Sequence, residues 1–477
     1  MSARRRPEKA DVQRLVVYPC EQKRSRQLIL RVKDPAKARS FLRALVQQRL
    51  ITDASLPADK ARGPQLNIGF TFHGLRALGL DRRYLRVFQE KAPAFAEGAP
   101  RRAGRHLADT AASAAKGWEK SFREDRAHVL LTLHADTKEE IVQLTEKLTA
   151  LPGKDGLGNW TKPLGAKHLP RVHGYRTVHF GLRDFISEPL IHGFLPEHPQ
   201  WKAPEHKRIN EPGEFLLGYW NDNGFNPWLL VNPLPAPNPW LPPLNPVQRA
   251  FFRNGSFGAL RKMEQNEKAF RGYLAHWAEQ LDVKSEYVKA KMTGRWEHGQ
   301  LVKPGDIDPP GPPAAGENLD DFSFKDDPDG LGCPFGSHVR RMNPRNDPIA
   351  PSRLRPLIRR GMPYGPRYDE AAEAKGNSPE RGLLALFFCA SLEDQFEHLL
   401  AHWGHANPMG PANRGDSNDP LTGSHADPCA KLDIPVAGED LRQLESFTRF
   451  VTTRGTLYAF FPGIAALGAI AAEPGAP

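Results

Sequence analysis

The densest concentration of chemically capable side chains is the stretch DDPDGLGCPFGSHVRRMNPRNDP (326–348), which places Cys333, His338, Arg340, Arg341 and Arg345 in one short irregular span. Three chemistries compete for it. A calcium loop needs oxygen ligands at alternating positions and a closing glutamate, whereas Asp327, Asp329 and Gly330 here lack an acid at 325 and run out at Gly336. A thiolate at Cys333, ahead of Pro334, could ligate a haem iron. His338 could instead supply an axial imidazole, with the following arginines pairing with haem propionates, a bidentate task suited to a guanidinium. Taken alone, a single histidine is more often a surface or hydrogen-bonded residue than a ligand. A second cluster, His398, His402 and His405, puts 398 and 402 on one helix face and mimics a zinc site. Without a glutamate in the HExxH position it reads as a solvated helix end.

Two similar units must position these groups. HVLLTLHAD (128–136) is a strand-like apolar run followed by a helix on which Ile141, Leu144, Leu148 and Leu151 recur at helical spacing, with Thr137 and Glu140 as a capping box. GLLALFFCAS (382–391) is again a strand, followed by Leu392, Phe396, Leu399, Leu400 and Trp403 on one helical face, with Ser391 and Asp394 at the cap. Two strand–helix units half a chain apart predict two related α+β halves. Proline-rich stretches at 197–247 and 303–316 read as loops, because proline removes a ladder donor and fixes φ. The block 404–430 reads the same way. A boundary near 195 then divides the chain into 1–195 and 196–477.

Composition narrows the class. Gly (41) and Pro (45) are abundant for 477 residues, which disfavours helix bundles and coiled coils and predicts long structured loops. The formal charge is +11, but apart from Arg4, Arg5 and Arg6 the cations are interleaved with acids, so we expect attraction of anions rather than nucleic-acid binding. The N-terminal residues carry no apolar run of signal-peptide length, and nowhere does an apolar run reach membrane-spanning length. The expectation is a cytoplasmic protein with no membrane contact. Cys20, Cys333, Cys389 and Cys429 are too scattered for a disulfide framework and are expected to be reduced thiols.

The segment GCPFGSHVRRMNPR (332–345) resembles the proximal-haem motif of dye-decolorizing peroxidases. Other segments resemble that family in the same order: QLNIGFTFHGLRALGL (65–80), VHFGLRDFISEPLIHG (178–193), GEFLLGYWND (213–222), NGSFGALRKMEQN (254–266), LIRRGMPYG (357–365), LLALFFCASLEDQFE (383–397), DPLTG (419–423) and TTRGTLYAFFPG (452–463). The resemblance implies two ferredoxin-like halves, antiparallel sheets carrying helices, and haem b held mainly by the second half beneath the 178–193 segment. It implies hydrogen-peroxide-dependent oxidation of bulky aromatic donors. A haem- or iron-handling protein with little turnover is the alternative.

Position by position, the resemblance makes His338 the axial ligand of haem iron and Arg345 the partner of a propionate. It makes Asp184 the distal acid and Arg359 the distal arginine, with Arg360 as the register alternative. Glu393 corresponds to an acid that accepts the Nδ1 proton of the axial imidazole. Trp403 and Tyr458 lie in similar segments and could carry radicals to donors at the surface. Such a site needs a base to move a proton between the peroxide oxygens, and a fixed cation to stabilise developing negative charge. Arg359 should also hold the Asp184 pKa down. One departure stands out: where the family motif ends in glycine, this chain has Phe185. Glycine there marks a backbone needing φ > 0 or a close approach, so either the loop after Asp184 takes another path or the Phe ring lines the pocket.

Overall fold

The computed structural model describes residues 6–56, 63–123, 126–196, 202–226, 228, 244–347, 354–376, 378–405, 418–423, 431–436 and 440–472. Arg4, Arg5, Cys429 and much of the loops expected at 197–247 and 404–430 lie outside them.

The first half is built from β1 (Arg24–Val32), α1 (Pro35–Gln47), β2 (Gln65–Phe70), β3 (Val129–Ala135), α2 (Lys138–Thr149) and the short strands β4 (Leu157–Gly158) and β5 (Leu164–Lys167). Asp34 caps α1 by accepting from Lys37 N, with Pro35 at its first position. The Thr137–Glu140 capping box on α2 is formed in both directions.

The second half has β6 (Ser256–Gln265), α3 (Glu267–Leu281), α4 (Ser285–Thr293), α5 (His338–Met342), β7 (Ile358–Tyr364), β8 (Gly382–Cys389), β9 (Val451–Phe461) and α6 (Ile464–Ala471). Ser391 does cap the helix after β8, but that helix is wound as π-turns over Leu392–Glu397 and Leu399–Trp403. The wider turn shifts the buried set to Leu392, Phe396, Leu399 and Trp403 and leaves Leu400 half-buried.

One antiparallel nine-stranded sheet carries both halves, in the order β4-β1-β3-β2-β9-β6-β8-β7, with β5 also on β1. Counted within each half, the order is 4-1-3-2 both times. This is the repeated ferredoxin-like α+β architecture. Within the sheet, β2 and β9 join the halves through a single ladder pair, Phe70 with Phe460. At the far ends β5 packs on β7 and β8 through Ala166, Met362, Tyr364 and Leu384, so the sheet curls round to meet itself.

Strand alternation gives β1, β2 and β3 two faces. Leu28, Leu30, Leu66, Ile68, Leu131 and Leu133 are buried on one, where Arg26 of β1 also donates to Thr145 of α2. The other looks inward: a Cβ on Gly69 would stand 2.7 Å from the Phe461 ring of β9. No described helix is long and apolar enough to cross a membrane.

Candidate active site

A cavity of about 810 Å³ lies against the second half and is lined by His338, Arg345, Asp184, Phe185, Ser187, Arg359 and Arg360, with Met263, Leu383, Phe387, Leu399 and Leu421 among its apolar walls.

His338 opens α5, directly after Ser337. Its Nδ1 donates to Asp419 Oδ2 at 2.8 Å, which leaves Nε2 as the ring nitrogen available to a metal. Asp419 is buried, and its other oxygen accepts from Leu421 N (2.9 Å), Thr422 N (2.8 Å) and Thr422 Oγ1 (3.0 Å). Burial alone would raise its carboxyl, but His338, Arg341 and the Thr422 N–H together hold it well below the usual carboxylate range.

The partner expected for His338 was Glu393, and the structure corrects that. Glu393 accepts from Ala94 N at 2.5 Å and ties the first half's Pro93–Glu97 helix to the π-turns after β8. Its pKa is raised by burial. Asp419, in DPLTG, takes the role instead.

Cys333 is buried away from the cavity walls, bonded through Sγ to Ser337 Oγ at 3.0 Å, with burial pushing its thiol up to about 11. It is no thiolate ligand. Arg340 is equally sequestered, donating to Asp347 (2.7 Å), Asp327 (3.2 Å) and Cys333 O (2.8 Å) between the rings of Phe324 and Phe335. Arg345 does reach the cavity. Asp320 pairs with it, Ser187 Oγ accepts from it at 3.0 Å, and Phe322 lies under its guanidinium. His405 also lines the cavity, while the His398 and His402 rings stand 4.6 Å apart.

Asp184 N donates to Arg176 O, and Asp184 Oδ1 accepts from Phe185 N at 2.8 Å. Its pKa is raised: burial outweighs that hydrogen bond and the positive charge of Arg359, so the expectation that Arg359 would keep it low does not hold. Alternation along β7 separates the two arginines. Arg359 donates to Ser187 O at 3.1 Å and acts electrostatically on Asp184. Arg360, on the other face, donates to Leu15 O and pairs with Glu188 at 2.9 Å.

Phe185 has a left-handed backbone, with φ 60, in the region that glycine favours. Of the two alternatives raised by the sequence, the ring at the pocket is the one observed: 39% exposed, it stands at the cavity wall. Arg176 lies over it at 4.6 Å and the edge of His168 meets it at 5.4 Å. Trp403 and Tyr458 are buried, Tyr458 donating to Glu397 at 2.8 Å, so neither offers its ring to a donor at the surface.

Residues 11–157 match the family model described as the DyP dimeric alpha+beta barrel domain. The multifunctional dye peroxidase DyP2 of Amycolatopsis sp. is 28% identical over 470 residues, covering 92% of this chain and 91% of its own. Both matches point to a dye-decolorizing peroxidase. Dye-decolorizing peroxidase msp1 of Mycetinis scorodonius is 27% identical, covering 84% of this chain and 75% of its own. Among solved structures, a dye-decolorizing peroxidase in complex with 2,6-dimethoxyphenol superposes with a TM-score of 0.78 at 22% identity, over 97% of this chain and 99% of that one. The fungal DyP-type peroxidase from Auricularia auricula-judae gives 0.77 at 23%, over 98% and 99%. The dye-decolorizing peroxidase fold therefore accounts for nearly the whole chain.

Proposed function

We propose that the protein is a haem peroxidase that uses hydrogen peroxide to oxidise bulky aromatic donors, with one haem b per chain. The observation that carries this reading is His338 at the wall of a large, partly apolar cavity, its Nδ1 held by a buried carboxylate while Asp184 and Arg359 line the same space. A flat apolar macrocycle with two carboxylates suits that lining: apolar side chains for its faces, an oriented imidazole for iron, and Arg345 for a propionate. Bound there, haem b supplies the redox-active iron at which peroxide is reduced and donor electrons are taken up.

The chain's own residues supply the rest. His338 Nε2 would hold the iron. Asp419 fixes the tautomer of that imidazole and makes it more electron-rich. Asp184, with Oδ1 already engaged by Phe185 N–H, would take a proton from one peroxide oxygen at Oδ2 and return it to the other, which would leave as water once the O–O bond breaks with two electrons supplied by the bound haem. Arg359 stabilises the negative charge that develops on the departing oxygen. Three buried free thiols, Cys20, Cys333 and Cys389, support a reducing, cytoplasmic setting.

The test is the optical spectrum and turnover of purified, haem-loaded protein. The wild type should show a Soret band that shifts on adding peroxide and should oxidise 2,6-dimethoxyphenol and sulfonated dyes. His338→Ala should lose most bound haem. A His338→Ala protein with a normal haem ratio and unchanged spectrum would overturn the ligand assignment.

A further inference from the structure

Beside an apolar row of Ile29, Leu130 and Gly69, the inward face of the first half carries two polar rows where a sheet interior is ordinarily apolar. By register, Ser25 of β1 stands beside His134 of β3, which stands beside Gln65 of β2; one step along, Gln27, Thr132 and Asn67 form a second row. All six are buried. Five of them present an atom with no hydrogen-bond partner among the described residues: Ser25 Oγ, Gln27 Oε1, Asn67 Oδ1, Thr132 Oγ1 and His134 Nδ1. Orphaned buried polar atoms are few in a native protein and each needs an explanation. Left dry, five on one patch would cost a large part of the net stability of a typical protein.

These rows do not face a sealed core. Ser25, Gln27 and His134 line the same cavity as Asp184, together with Cys20, Arg360 and Met362. Arg360 is the bridge between the two regions. It sits one residue from Arg359 on β7, pairs with Glu188 from the segment after Asp184, and its charge acts on His134. Burial, then the neighbouring His168 and Arg360, keeps the His134 imidazole neutral by pushing its pKa down to about 3, so its ring offers one donor and one acceptor. The amide oxygens of Gln27 and Asn67 only accept, while the two hydroxyls do both. The ligand that satisfies such a mixture in a small space is water, which donates and accepts and binds where two to four polar partners converge.

We propose that the interior of the curled sheet is a hydrated chamber: the two polar rows bind a cluster of ordered water that is continuous with the cavity of Asp184 and exchanges protons and product water with that carboxylate. The hydration itself is independent of the activity; the exchange with Asp184 rests on the function proposed above.

A high-resolution crystal structure of the haem-loaded protein should show waters within hydrogen-bonding distance of Ser25 Oγ, Thr132 Oγ1 and His134 Nδ1, in a file reaching the Asp184 cavity. Rotamers that pair these atoms directly with one another, or a dry gap before Asp184, would overturn the proposal. Thr132→Val removes a hydroxyl at nearly constant volume. In a wet chamber it lowers Tm and Thr132→Ser restores it, whereas in a dry one Thr132→Val leaves Tm unchanged or raises it. For the exchange, Ser25→Ala/Thr132→Val should slow the peroxide reaction several-fold and change its solvent isotope effect. If that variant reacts as wild type while Asp184→Asn is slow, the chamber does not serve Asp184. If Asp184→Asn also reacts as wild type, the failure belongs to the assigned role of Asp184.

Discussion

Asp184 and Phe185 sit side by side and draw opposite demands from the fold. Burial raises the Asp184 pKa, so this carboxyl binds protons more readily in the folded chain than in the unfolded one. Its contribution to stability therefore falls as pH rises from the ordinary carboxylate value through the raised one. Asp184→Asn should accordingly melt at a higher temperature than wild type at neutral pH, with the gain vanishing below about pH 4. The same substitution should slow the peroxide reaction by about 10²–10⁴-fold. In wild type that reaction should weaken as pH falls through the raised pKa, and stopped-flow mixing across pH should show the acid limb missing from the Asn variant. Phe185 carries a left-handed backbone strain of roughly 1–2 kcal/mol. Phe185→Ala keeps that strain and loses the Arg176 and His168 contacts, whereas Phe185→Gly loses the contacts but relieves the strain. Denaturant unfolding should therefore rank the glycine variant above the alanine one.

The elements show where a sequence reading succeeds and where it stops. His338, Asp184 and Arg345 could be singled out because each lies inside a contiguous motif, and the Thr137–Glu140 box because its partners are three residues apart. The partner of His338 lies 81 residues away, and no spacing rule connects them. The available signal was that DPLTG contains an aspartate followed by a threonine three residues on, which lets Asp419 fold over its own turn and accept from Thr422 N and Oγ1. Choosing between Arg359 and Arg360 needed the pleat of β7, which neighbouring identical residues hide. Since Asp419 rather than Glu393 orients the imidazole, Asp419→Asn should weaken haem retention by about 10–100-fold. Glu393→Gln should retain haem as wild type does. Haem titration followed at the Soret band separates the two.

At the scale of the molecule, the excess charge of +11 acts on whatever approaches. Electrostatic attraction extends over about a Debye length, ~10 Å at 0.1 M salt. Sulfonated donors should thus show a lower KM than cationic aromatics of similar potential, and the gap should narrow as salt is raised. A gap that ignores salt would place the surplus charge away from the donor site. The boundary near 195 remains our proposal for dividing the chain. It is supported by the strands themselves, since β1 to β5 end at Lys167 and the second set begins at Ser256.

The joint between the halves has a temporal meaning. Within each half, neighbouring strands are laced by long antiparallel ladders, yet β2 and β9 share one residue pair, and β5 meets β7 and β8 through side chains. Every ladder within a half links nearer parts of the chain than the Phe70–Phe460 pair does, and so meets a smaller entropic obstacle. Each half should therefore acquire its strands before the ring closes, so that the cavity is enclosed last and opens first. Native-state amide exchange would record this order, with protection lower along the outer edges of β2 and β7 than at the centres of β3 and β6.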